Sequence, residues 1–242
     1  MKLILTGATG FIGRAVLHHA LSHPLITRLV VLTRRPLQIQ HPKLLTVIHT
    51  DFTTYPTPLL TNELRDAEAV IWALGTPLSE GQQHLDFLLA AAEAFSTHLL
   101  PGLRRRGKRF RFVNVSGMFT EKDEGRSLWF LQEVRKLRGR AERGLVEFEG
   151  KVQREGEGGW QTMNARPGVV LRGEPGWAGW LMPGFYIPVE ELAGALVDLA
   201  VCAGGGGGDV EGTFVENEEL RRRGRRVVEE GKNGLVFSDA SR

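Results

Sequence analysis

The sequence predicts an α/β fold: a doubly wound, mostly parallel sheet with helices on both faces and a small additional region near the C-terminus. Three observations lead to this prediction. Short apolar segments suited to buried strands alternate with helical patterns, the first strand runs into a glycine-rich loop, and the later strands end at polar or glycine-containing turns. The length of 242 residues suits one such domain.

Each element rests on a local pattern. Residues 2–6 form an apolar run that suits a strand buried on both faces, and apolar residues at helical spacing predict a helix over 14–21. Further strands are predicted at residues 29–33, 44–49, 69–74, 110–115 and 161–165. Long helices are predicted at residues 80–100 and 127–153. The first of these is expected to stop before Pro101, because proline interrupts a helix.

The pattern changes after the sixth strand. Residues 173–188 are rich in glycine, proline and tryptophan, which favours a loop or lid over a sheet element. There follow a helix at 189–203, five glycines at 204–208, a short strand at 212–215 and a charged helix or solvated extension at 218–226. We therefore assign residues 1–217 to one domain, with 173–203 as its small additional region, and 218–242 to a charged C-terminal segment.

Composition excludes several classes of protein. The formal net charge is +3, too small an excess to require a nucleic-acid partner. A single cysteine, Cys202, excludes an internal disulfide and a cysteine zinc cluster, and no group of His, Asp and Glu has metal-ligand spacing. The apolar stretches fall far short of the roughly 20 residues that span a membrane, and the first residues lack the pattern of a signal peptide. We expect a soluble, cytoplasmic protein that binds neither a metal nor a membrane.

The glycine-rich loop predicts a nucleotide site, because a strand precedes it and a helix follows it. Gly7 permits the tight turn, Gly10 lets the backbone approach a pyrophosphate, and Gly13 lets the helix pack close to the strand. The helix N-terminus then offers free N–H groups and the positive end of its dipole to the phosphates. The loop residues expected to contact a dinucleotide are Gly7, Thr9, Gly10, Phe11, Ile12 and Gly13. The alternative is a glycine turn that only joins a strand to a helix.

The order of these residues resembles a known family. Residues 6–13 read Thr-Gly-Ala-Thr-Gly-Phe-Ile-Gly, which resembles the extended and atypical branches of the short-chain dehydrogenase/reductase superfamily, with their Rossmann-like NAD(P)-binding domain. The resemblance reaches to about residue 217 and is strongest in the first third of the chain. It implies further cofactor contacts after the third, fourth and sixth strands, by Asp51, Phe52, Ala73, Leu74, Gly75, Thr76, Pro167, Gly168 and Val169. Asp51 is equally typical of a turn cap.

The end of the second strand indicates which dinucleotide binds. An acidic residue there would bind the adenosine ribose diol of NAD, but the sequence reads Thr-Arg-Arg-Pro without a carboxylate. Two guanidinium groups suit the 2′-phosphate of NADP, because arginine binds phosphate oxygens through two parallel hydrogen bonds. Arg34 and Arg35 therefore predict NADP(H) rather than NAD(H), unless they are a pair of solvated arginines in a turn.

The catalytic residues follow the family only in part. The resemblance implies hydride transfer to or from a carbonyl or alcohol carbon, with a tyrosine as proton donor or acceptor, a lysine four residues later and a serine that orients the substrate oxygen. Ser116 stands where the family has that serine, although a cap or turn is the alternative. The tyrosines of the chain, Tyr55 and Tyr186, begin no Tyr-x-x-x-Lys motif, and Phe130 or Trp129 holds the place of the family tyrosine.

Other residues then have to supply the remaining roles. Lys136, or else Arg135 or Arg138, is expected near the nicotinamide ribose. Tyr186, His84 or solvent are the candidates for the proton donor, although both side chains are more often structural at such positions.

The sequence therefore predicts an NADP(H)-dependent oxidoreductase that acts on a small organic carbonyl or alcohol. Because the tyrosine and lysine pair is missing, two alternatives stay open: a redox-inactive NADP(H)-binding regulatory or interaction protein, and a non-redox isomerase or lyase on the same scaffold. The basic runs 104–109 and 221–226 could contact phosphates, but cations near helix ends usually lie at a solvated surface, so no nucleic-acid partner is expected. The sequence does not indicate an oligomeric state.

Overall fold

The structure is a computed structural model that describes residues 1–75, 81–121, 123, 125, 127, 129, 131–155, 158–173, 183–201 and 213–239, with the backbone alone at 81, 183 and 231–239. The strands are β1 (Lys2–Thr6), β2 (Arg28–Thr33), β3 (Leu44–Ile48), β4 (Ala67–Trp72), β5 (Phe110–Val115), β6 (Trp160–Arg166), β7 (Val169–Leu171), β8 (Tyr186–Pro188) and β9 (Phe214–Glu216). The α-helices are α1 (Phe11–Ser22), α2 (Gly81–His98), α3 (Leu100–Arg104), α4 (Gln132–Arg154), α5 (Val189–Val201) and α6 (Asn217–Asp239).

The main sheet confirms the predicted fold class. Seven of the described strands form it in the order β3-β2-β1-β4-β5-β6-β9, and each neighbouring pair is parallel. The chain starts in the middle of the sheet, builds β2 and β3 on one side, and returns to build β4, β5 and β6 on the other, which is the doubly wound order. Because the strands are parallel, the loops that follow them meet at one edge of the sheet, and the strand order reverses between β1 and β4.

Both faces of the sheet are buried, as the continuous apolar strands predict. Along β1, Leu3 and Leu5 belong to a core shared with α1 and α5, whereas Ile4 belongs to a core shared with α2, α3 and α4. Successive side chains of a strand point to opposite faces, so an unbroken apolar run supplies both cores at once. The described helices thus cover the two faces of the sheet.

Two helix boundaries differ from the prediction. The helix expected over 80–100 ends at His98, and Pro101 lies in the first turn of α3, where its missing N–H costs no hydrogen bond. Pro101 therefore begins a helix instead of only ending one. Helix α4 begins at Gln132, five residues later than expected, because Leu131 has a left-handed backbone (φ 46°) that a preceding helical turn could not continue through.

The expectation of a loop or lid over 173–188 is wrong at its C-terminal end. Tyr186–Pro188 forms β8, which pairs in parallel with Val169–Leu171 of β7 in a separate two-stranded sheet. Three-residue strands are too short to show the alternation from which strands are recognised. The rest of the expected lid, residues 174–182, and the five glycines at 204–208 lie outside the described residues.

The charged C-terminal segment is a helix packed against α5 rather than a solvated extension. A Cβ on Gly224 would lie 2.0 Å from the carbonyl oxygen of Glu191, so this glycine lets the two helices cross closely. Arginines of the second basic run bind acidic residues of α5: Arg223 Nη1 lies 2.8 Å from Asp198 Oδ2, and Arg226 Nη2 lies 3.0 Å from Asp198 Oδ1. These charges therefore form ion pairs within the molecule.

The first basic run also forms ion pairs. Arg106 Nη2 lies 2.8 Å from Asp66 Oδ1, and Lys108 Nζ lies 3.0 Å from Glu68 Oε2. Asp66 precedes β4 and Glu68 lies near its start, so these pairs occur at the edge of the sheet where the strands begin. The run is therefore remote from the loops that follow the strands.

Candidate functional site

The glycine-rich loop joins β1 to α1 at the carboxyl edge of the sheet, and it is tight at two positions. Gly7 has a left-handed backbone (φ 71°), and a Cβ there would lie 2.1 Å from the carbonyl oxygen of Ala73. A Cβ on Gly13 would lie 2.0 Å from the carbonyl oxygen of Gly7. The Gly10 N–H donates to that same oxygen at 2.9 Å and closes the turn. Side chains are excluded from this loop, which brings its backbone to the surface of the cleft.

The N-terminus of α1 is open to a ligand. Gly10 is the N-cap residue, no side chain caps the helix, and the first turn has no acidic residue. The N–H groups of the first turn therefore lack side-chain partners, and the positive end of the helix dipole is not neutralised locally. Thr9, Gly10 and Phe11 are exposed and Ile12 is half-buried. This arrangement suits an anion such as a phosphate group.

Arg172 is a residue of this site that the sequence pattern did not indicate. It follows β7, and its guanidinium carbon lies 5.5 Å from the centre of the Phe11 ring. A cavity of about 560 Å³ opens there, lined among others by Thr9, Gly10, Phe11, Arg14 and Arg172. Two exposed guanidinium groups and a helix N-terminus thus border one cavity, a combination that suits a pyrophosphate. Arg172 is distant from the loop in sequence, so only the folded chain reveals its place.

Arg34 and Arg35 follow β2 at the same edge. Both side chains are exposed, and neither has a hydrogen bond or an ion pair with another described residue. The Thr33 hydroxyl donates to the Arg35 carbonyl oxygen at 2.9 Å and accepts from the Arg35 N–H at 3.3 Å, which fixes the turn. A second cavity, of about 430 Å³, lies beside Pro36 and shares Arg14 with the first. The two arginines thus stand near a groove that continues from the glycine-rich loop.

The side chains of Asp51 and Phe52 already have structural partners. Asp51 Oδ1 accepts from the Thr53 hydroxyl at 2.5 Å and from its N–H at 2.9 Å, and Oδ2 accepts from the Thr54 hydroxyl at 3.0 Å. These hydrogen bonds, those from Thr53 above all, lower the pKa of Asp51. The Phe52 ring is buried, with its centre 4.9 Å from that of His49. A contact of Phe52 with a nucleotide would therefore use backbone atoms, whereas the exposed Asp51 carboxylate keeps acceptor capacity.

The segment after β4 faces the glycine-rich loop. Its first residue, Ala73, is half-buried and supplies the carbonyl oxygen next to Gly7. Leu74 packs against the core beneath α2, and Gly75 is exposed with open space around its Cα. The structure thus brings these three predicted residues to the cleft, whereas Thr76 lies outside the described part of the chain.

Ser116 lies at the end of β5 in a network of hydroxyl groups. Its Oγ is 3.2 Å from Thr120 Oγ1, and the Thr120 hydroxyl donates to the Gly117 carbonyl oxygen at 2.6 Å. Because the proton of Thr120 is used in that bond, Ser116 is the donor to Thr120. The Met118 N–H donates to the Pro167 carbonyl oxygen at 2.8 Å, which joins this loop to the one after β6. The hydroxyl of Ser116 is therefore held in place.

Arg138 lies against Gly117 directly after β5, and Arg135 Nε donates to the Phe119 carbonyl oxygen of the same loop at 2.7 Å. A Cβ on Gly117 would lie 2.3 Å from Arg138 Nη1, so the guanidinium group covers this glycine. Residues two apart on a helix point in nearly opposite directions, and Lys136 is therefore turned away from Gly117. Val134 precedes Arg138 by four residues and lies on its face of α4, one turn earlier. If Arg138 occupies the position of the family lysine, Val134 occupies the position of the family tyrosine, four residues earlier. Phe130 lies outside the described residues.

The two tyrosines have different surroundings. Tyr55 lies against the core beneath α2, with its ring centre 4.9 Å from that of His49 and 5.3 Å from that of Phe95. Burial raises the pKa of Tyr55, and its hydroxyl has no described partner, which makes it unsuited to proton transfer. Tyr186 is half-buried at the start of β8, where its backbone pairs with Val169. Tyr186 is thus the tyrosine that lies beside the loop after β6.

His84 is a half-buried residue in the first part of α2. Burial, together with the charge of Arg138, lowers its pKa to about 4, so the imidazole is neutral at physiological pH. Its Nδ1 atom is buried without a hydrogen-bond partner among the described residues. A neutral imidazole near Arg138 is a weak proton donor in the ground state, and the structure gives it no orienting partner.

The loop after β6 is built around Gly168. A Cβ on this glycine would lie 2.2 Å from the carbonyl oxygen of Phe185, and its N–H donates to Asn217 Oδ1 at 2.7 Å. Pro167 is buried, and Val169, the first residue of β7, is exposed. All three predicted residues therefore lie in one tight loop between the main sheet and the small one. Asn217 is a further residue of this region.

A buried ion pair fixes the elements around this loop. Arg166 binds the fully buried Glu142 through two bonds, Nε to Oε1 at 2.9 Å and Nη2 to Oε2 at 2.5 Å, and its Nη1 donates to Glu216 Oε1 at 2.9 Å. Hydrogen bonding to Glu142 is the main reason that the pKa of Arg166 is raised. The pair joins α4 to the ends of β6 and β9. Since Glu142 lies one turn beyond Arg138, it also sets where Arg138 stands.

Two further features bear on the class of site. In the part of the chain that the structure describes, no three His, Cys, Asp or Glu side chains lie close enough to hold a metal ion. Within the same ranges, no helix is long and apolar enough to cross a membrane.

Comparisons with known proteins agree with this geometry. Residues 7–143 match a family model described as NAD(P)H-binding. No curated protein matches the chain. Among solved structures, a short chain dehydrogenase from Burkholderia cenocepacia J2315 in complex with NADP has 14% sequence identity and a TM-score of 0.62, over 99% of this chain and 94% of its own.

Two other solved structures are similar in fold. The yeast methylglyoxal/isovaleraldehyde reductase Gre2 complexed with NADPH has 12% identity and a TM-score of 0.57, over 81% of this chain and 73% of its own. MoeE5 in complex with UDP-glucuronic acid and NAD has 17% identity and a TM-score of 0.60, over 84% of this chain and 73% of its own. These likenesses confirm the Rossmann-like fold, and the structures that share it bind either NAD or NADP.

Proposed function

Because the chain belongs to the NAD(P)H-binding family, we propose that it is an NADP(H)-dependent oxidoreductase that acts on a small organic carbonyl or alcohol. One observation carries the proposal: the uncapped N-terminus of α1, the glycines packed against each other and the two unpaired arginines after β2 lie along one edge of the sheet. A strand order that reverses at β1 and β4 places the ligand of such a fold at this edge.

The glycine-rich loop would hold the pyrophosphate. A Cβ at Gly7 or Gly13 would collide with backbone, and the loop therefore presents N–H groups to a ligand instead of side chains. Arg172 and Arg14 border the adjoining cavity and add two positive charges beside the helix N-terminus. This fit between donors, charges and cavity supports the cofactor assignment.

The arginines after β2 support NADP(H) over NAD(H). Arg34 and Arg35 are exposed and have no acidic partner among the described residues, so their charges are available to a 2′-phosphate. The absence of a carboxylate at the end of β2 removes the group that would bind the ribose diol of NAD.

Residues after β5 and β6 would serve the reacting end. NADPH, when bound, supplies a hydride that a carbonyl carbon accepts. Ser116 would orient the substrate oxygen, and Arg138, which covers Gly117, would stabilise negative charge that develops on that oxygen. Lys136 is the less favoured cation because α4 turns it away. The proton donor is a group other than the family tyrosine, and Tyr186 is the candidate that lies beside the loop after β6.

The second candidate function is a redox-inactive regulator that binds NADP(H). The observation that favours it is Val134, a hydrocarbon side chain where the spacing from Arg138 would place the proton donor. Binding without turnover would distinguish this function from an oxidoreductase. The test is NADPH oxidation with a panel of aldehydes and ketones: turnover supports the first function, and tight binding without turnover on the whole panel supports the second.

The cofactor preference is tested by Arg34→Ala combined with Arg35→Ala. We expect the double variant to weaken NADPH binding by about 2–3 kcal/mol, because charged hydrogen bonds to the 2′-phosphate are lost, and to leave NADH binding nearly unchanged. Fluorescence titration with each nucleotide measures both. Arg28→Ala, at the opposite end of β2, is the matched control for the loss of positive charge. Equal weakening of NADPH and NADH by the double variant would contradict the NADP(H) assignment.

A further inference from the structure

We propose that Asn217 is a positioning residue for the nicotinamide half of the cofactor site, because its carboxamide fastens the Gly168 loop to the chain that leads into β8. The inference rests on the proposed NADP(H) site and goes beyond it. Asn217 lies at the start of α6, outside the residues 7–143 that match the family model, so the comparison itself gives it no role.

Three hydrogen bonds define the contact. Asn217 Oδ1 accepts from the Gly168 N–H at 2.7 Å, and Nδ2 donates to the carbonyl oxygens of Gly184 at 2.8 Å and Tyr186 at 3.3 Å. The side chain is 2% exposed, so these bonds are shielded from water. An amide is required here, because aspartate would lack both donors and leucine would lack all three groups.

These hydrogen bonds hold the loop at Gly168, a residue that has no side chain to anchor it. Gly168 packs against the carbonyl oxygen of Phe185, where a Cβ would lie at 2.2 Å, and the Asn217 carboxamide closes the other side, with its Cγ 3.3 Å from that Cβ. Backbone therefore packs on backbone between the loop after β6 and the chain before β8. The carboxamide adds to this packing and to the pairing of Val169 with Tyr186, and it is the side chain that holds Gly168 to the chain on both sides of Phe185.

The same loop continues to the candidate catalytic residues. The carbonyl oxygen of Pro167, next to Gly168, accepts from the Met118 N–H at 2.8 Å, two residues after Ser116. A short path of hydrogen bonds thus runs from Asn217 through the Gly168 loop to the loop that holds Ser116. The position of Asn217 consequently bears on where a nicotinamide ring and a substrate oxygen would meet.

Helix α6 gives Asn217 a rigid base. Leu220, one turn later, is fully buried in the core shared with α1 and α5, and Gly224 lies against the Glu191 backbone of α5. On the strand side, Glu216 accepts a hydrogen bond from Arg166 at 2.9 Å. The carboxamide is therefore held from both sides while it holds the loop.

The test compares two ligands that share the adenosine half of the site. NADPH uses both halves, whereas adenosine 2′,5′-bisphosphate lacks the nicotinamide and its ribose. We expect Asn217→Ala to raise the dissociation constant of NADPH about tenfold and to leave that of the bisphosphate within about twofold, because only the nicotinamide half loses its alignment. Asn217→Asp, which keeps the volume but loses both donors, should also raise the NADPH constant selectively.

Hydrogen exchange gives a readout that does not depend on ligand binding. The Gly168 amide should exchange slowly in the wild type and in Asn217→Asp, which keeps the acceptor, and faster in Asn217→Ala. Val227→Ala is the matched control, since it removes packing of α6 against Gly194 of α5 at a position ten residues from Asn217. It should leave the ratio of the two dissociation constants unchanged.

The outcomes separate the inference from the function on which it rests. A wild-type protein that binds neither NADPH nor the bisphosphate would overturn the proposed function. A wild-type protein that binds both, with the ratio unchanged in Asn217→Ala or changed equally by Val227→Ala, would overturn the role of Asn217 alone. If both Asn217 variants fail to fold, fast exchange of the Gly168 amide in the wild type would overturn it as well.

Discussion

Arg138 and Val134 lie on successive turns of one face of α4, and neither side chain can donate a proton near neutral pH. Arg138 covers Gly117 with a permanently charged group, which can stabilise an oxyanion but cannot donate a proton near neutral pH. Val134 has no acidic proton at all. In the proposed function, Arg138 would supply the electrostatic half of the chemistry, whereas this face of α4 offers no group for the acid–base half.

A tyrosine and a lysine placed on this face of α4 should raise turnover. We expect the double variant Val134→Tyr with Arg138→Lys to oxidise NADPH with a carbonyl panel at least about tenfold faster than the wild type, because a lysine one turn away lowers the pKa of a phenol. Stopped assays of NADPH absorbance measure the rate. Phe130→Tyr with Arg138→Lys is the control, and an equal gain in that variant would place the family tyrosine at position 130 instead.

Some residues of the site could be predicted from local sequence, and others could not. The roles of Gly7 and Gly13 follow from spacing, since their contacts are with the loop itself and with the next strand of the sheet. Arg172 and Asn217 reach the same cleft from distant parts of the chain, and neither belongs to a motif that spacing could reveal. Arg138 falls between these cases. Its helix was predicted from the sequence, but only the contact with Gly117 in the structure shows which way its side chain points.

Among the elements, the strands β1, β2, β4, β5 and β6 were predicted well because each is buried on both faces and reads as an apolar run. Elements that depend on tertiary partners were not. The three-residue strands β7 and β8 exist through pairing with each other, and the charged helix α6 is set by its partner α5. The close contact of α6 with α5 at Gly224 shows how strongly a tertiary partner determines such an element.

Gly224→Ala tests that contact. Alanine favours a helix by about 1 kcal/mol, but its Cβ would lie 2.0 Å from the Glu191 carbonyl oxygen, so α5 and α6 must move apart. We expect a net loss of about 1–3 kcal/mol in the free energy of unfolding, measured by urea denaturation. Gly150→Ala on α4 is the matched control, because its Cβ would meet only the end of the Arg154 side chain, at 3.5 Å, and it should be neutral or stabilising. Equal effects of the two substitutions would refute the close crossing.

For the protein as a whole, partly buried histidines make the free energy of unfolding depend on pH. Burial holds the pKa of His84 near 4 in the folded protein, below its ordinary value of about 6.5, so the fold favours the neutral form. Stability from this group is therefore complete above about pH 6.5 and is lost as the pH falls toward 4. His23 and His49, whose pKa values burial also lowers, act in the same direction.

We expect the wild type to lose about 2 kcal/mol more of its unfolding free energy between pH 7 and pH 5 than His84→Gln does. Urea denaturation at the two pH values measures this difference. His18→Gln, which removes an exposed histidine of α1, is the control and should lose as much as the wild type. A wild type and a His84→Gln variant with parallel pH dependence would show that the imidazole is free to take up a proton in the folded state.

The path of the chain also orders events during synthesis. In the proposed site, the glycine-rich loop and the arginines after β2 precede Gly75 in the chain, whereas Asn217 is made about 140 residues later. At ordinary rates of translation this interval lasts roughly 10–30 s. A ribosome-bound chain therefore passes through a stage at which the glycine-rich loop has been made and Asn217 has not.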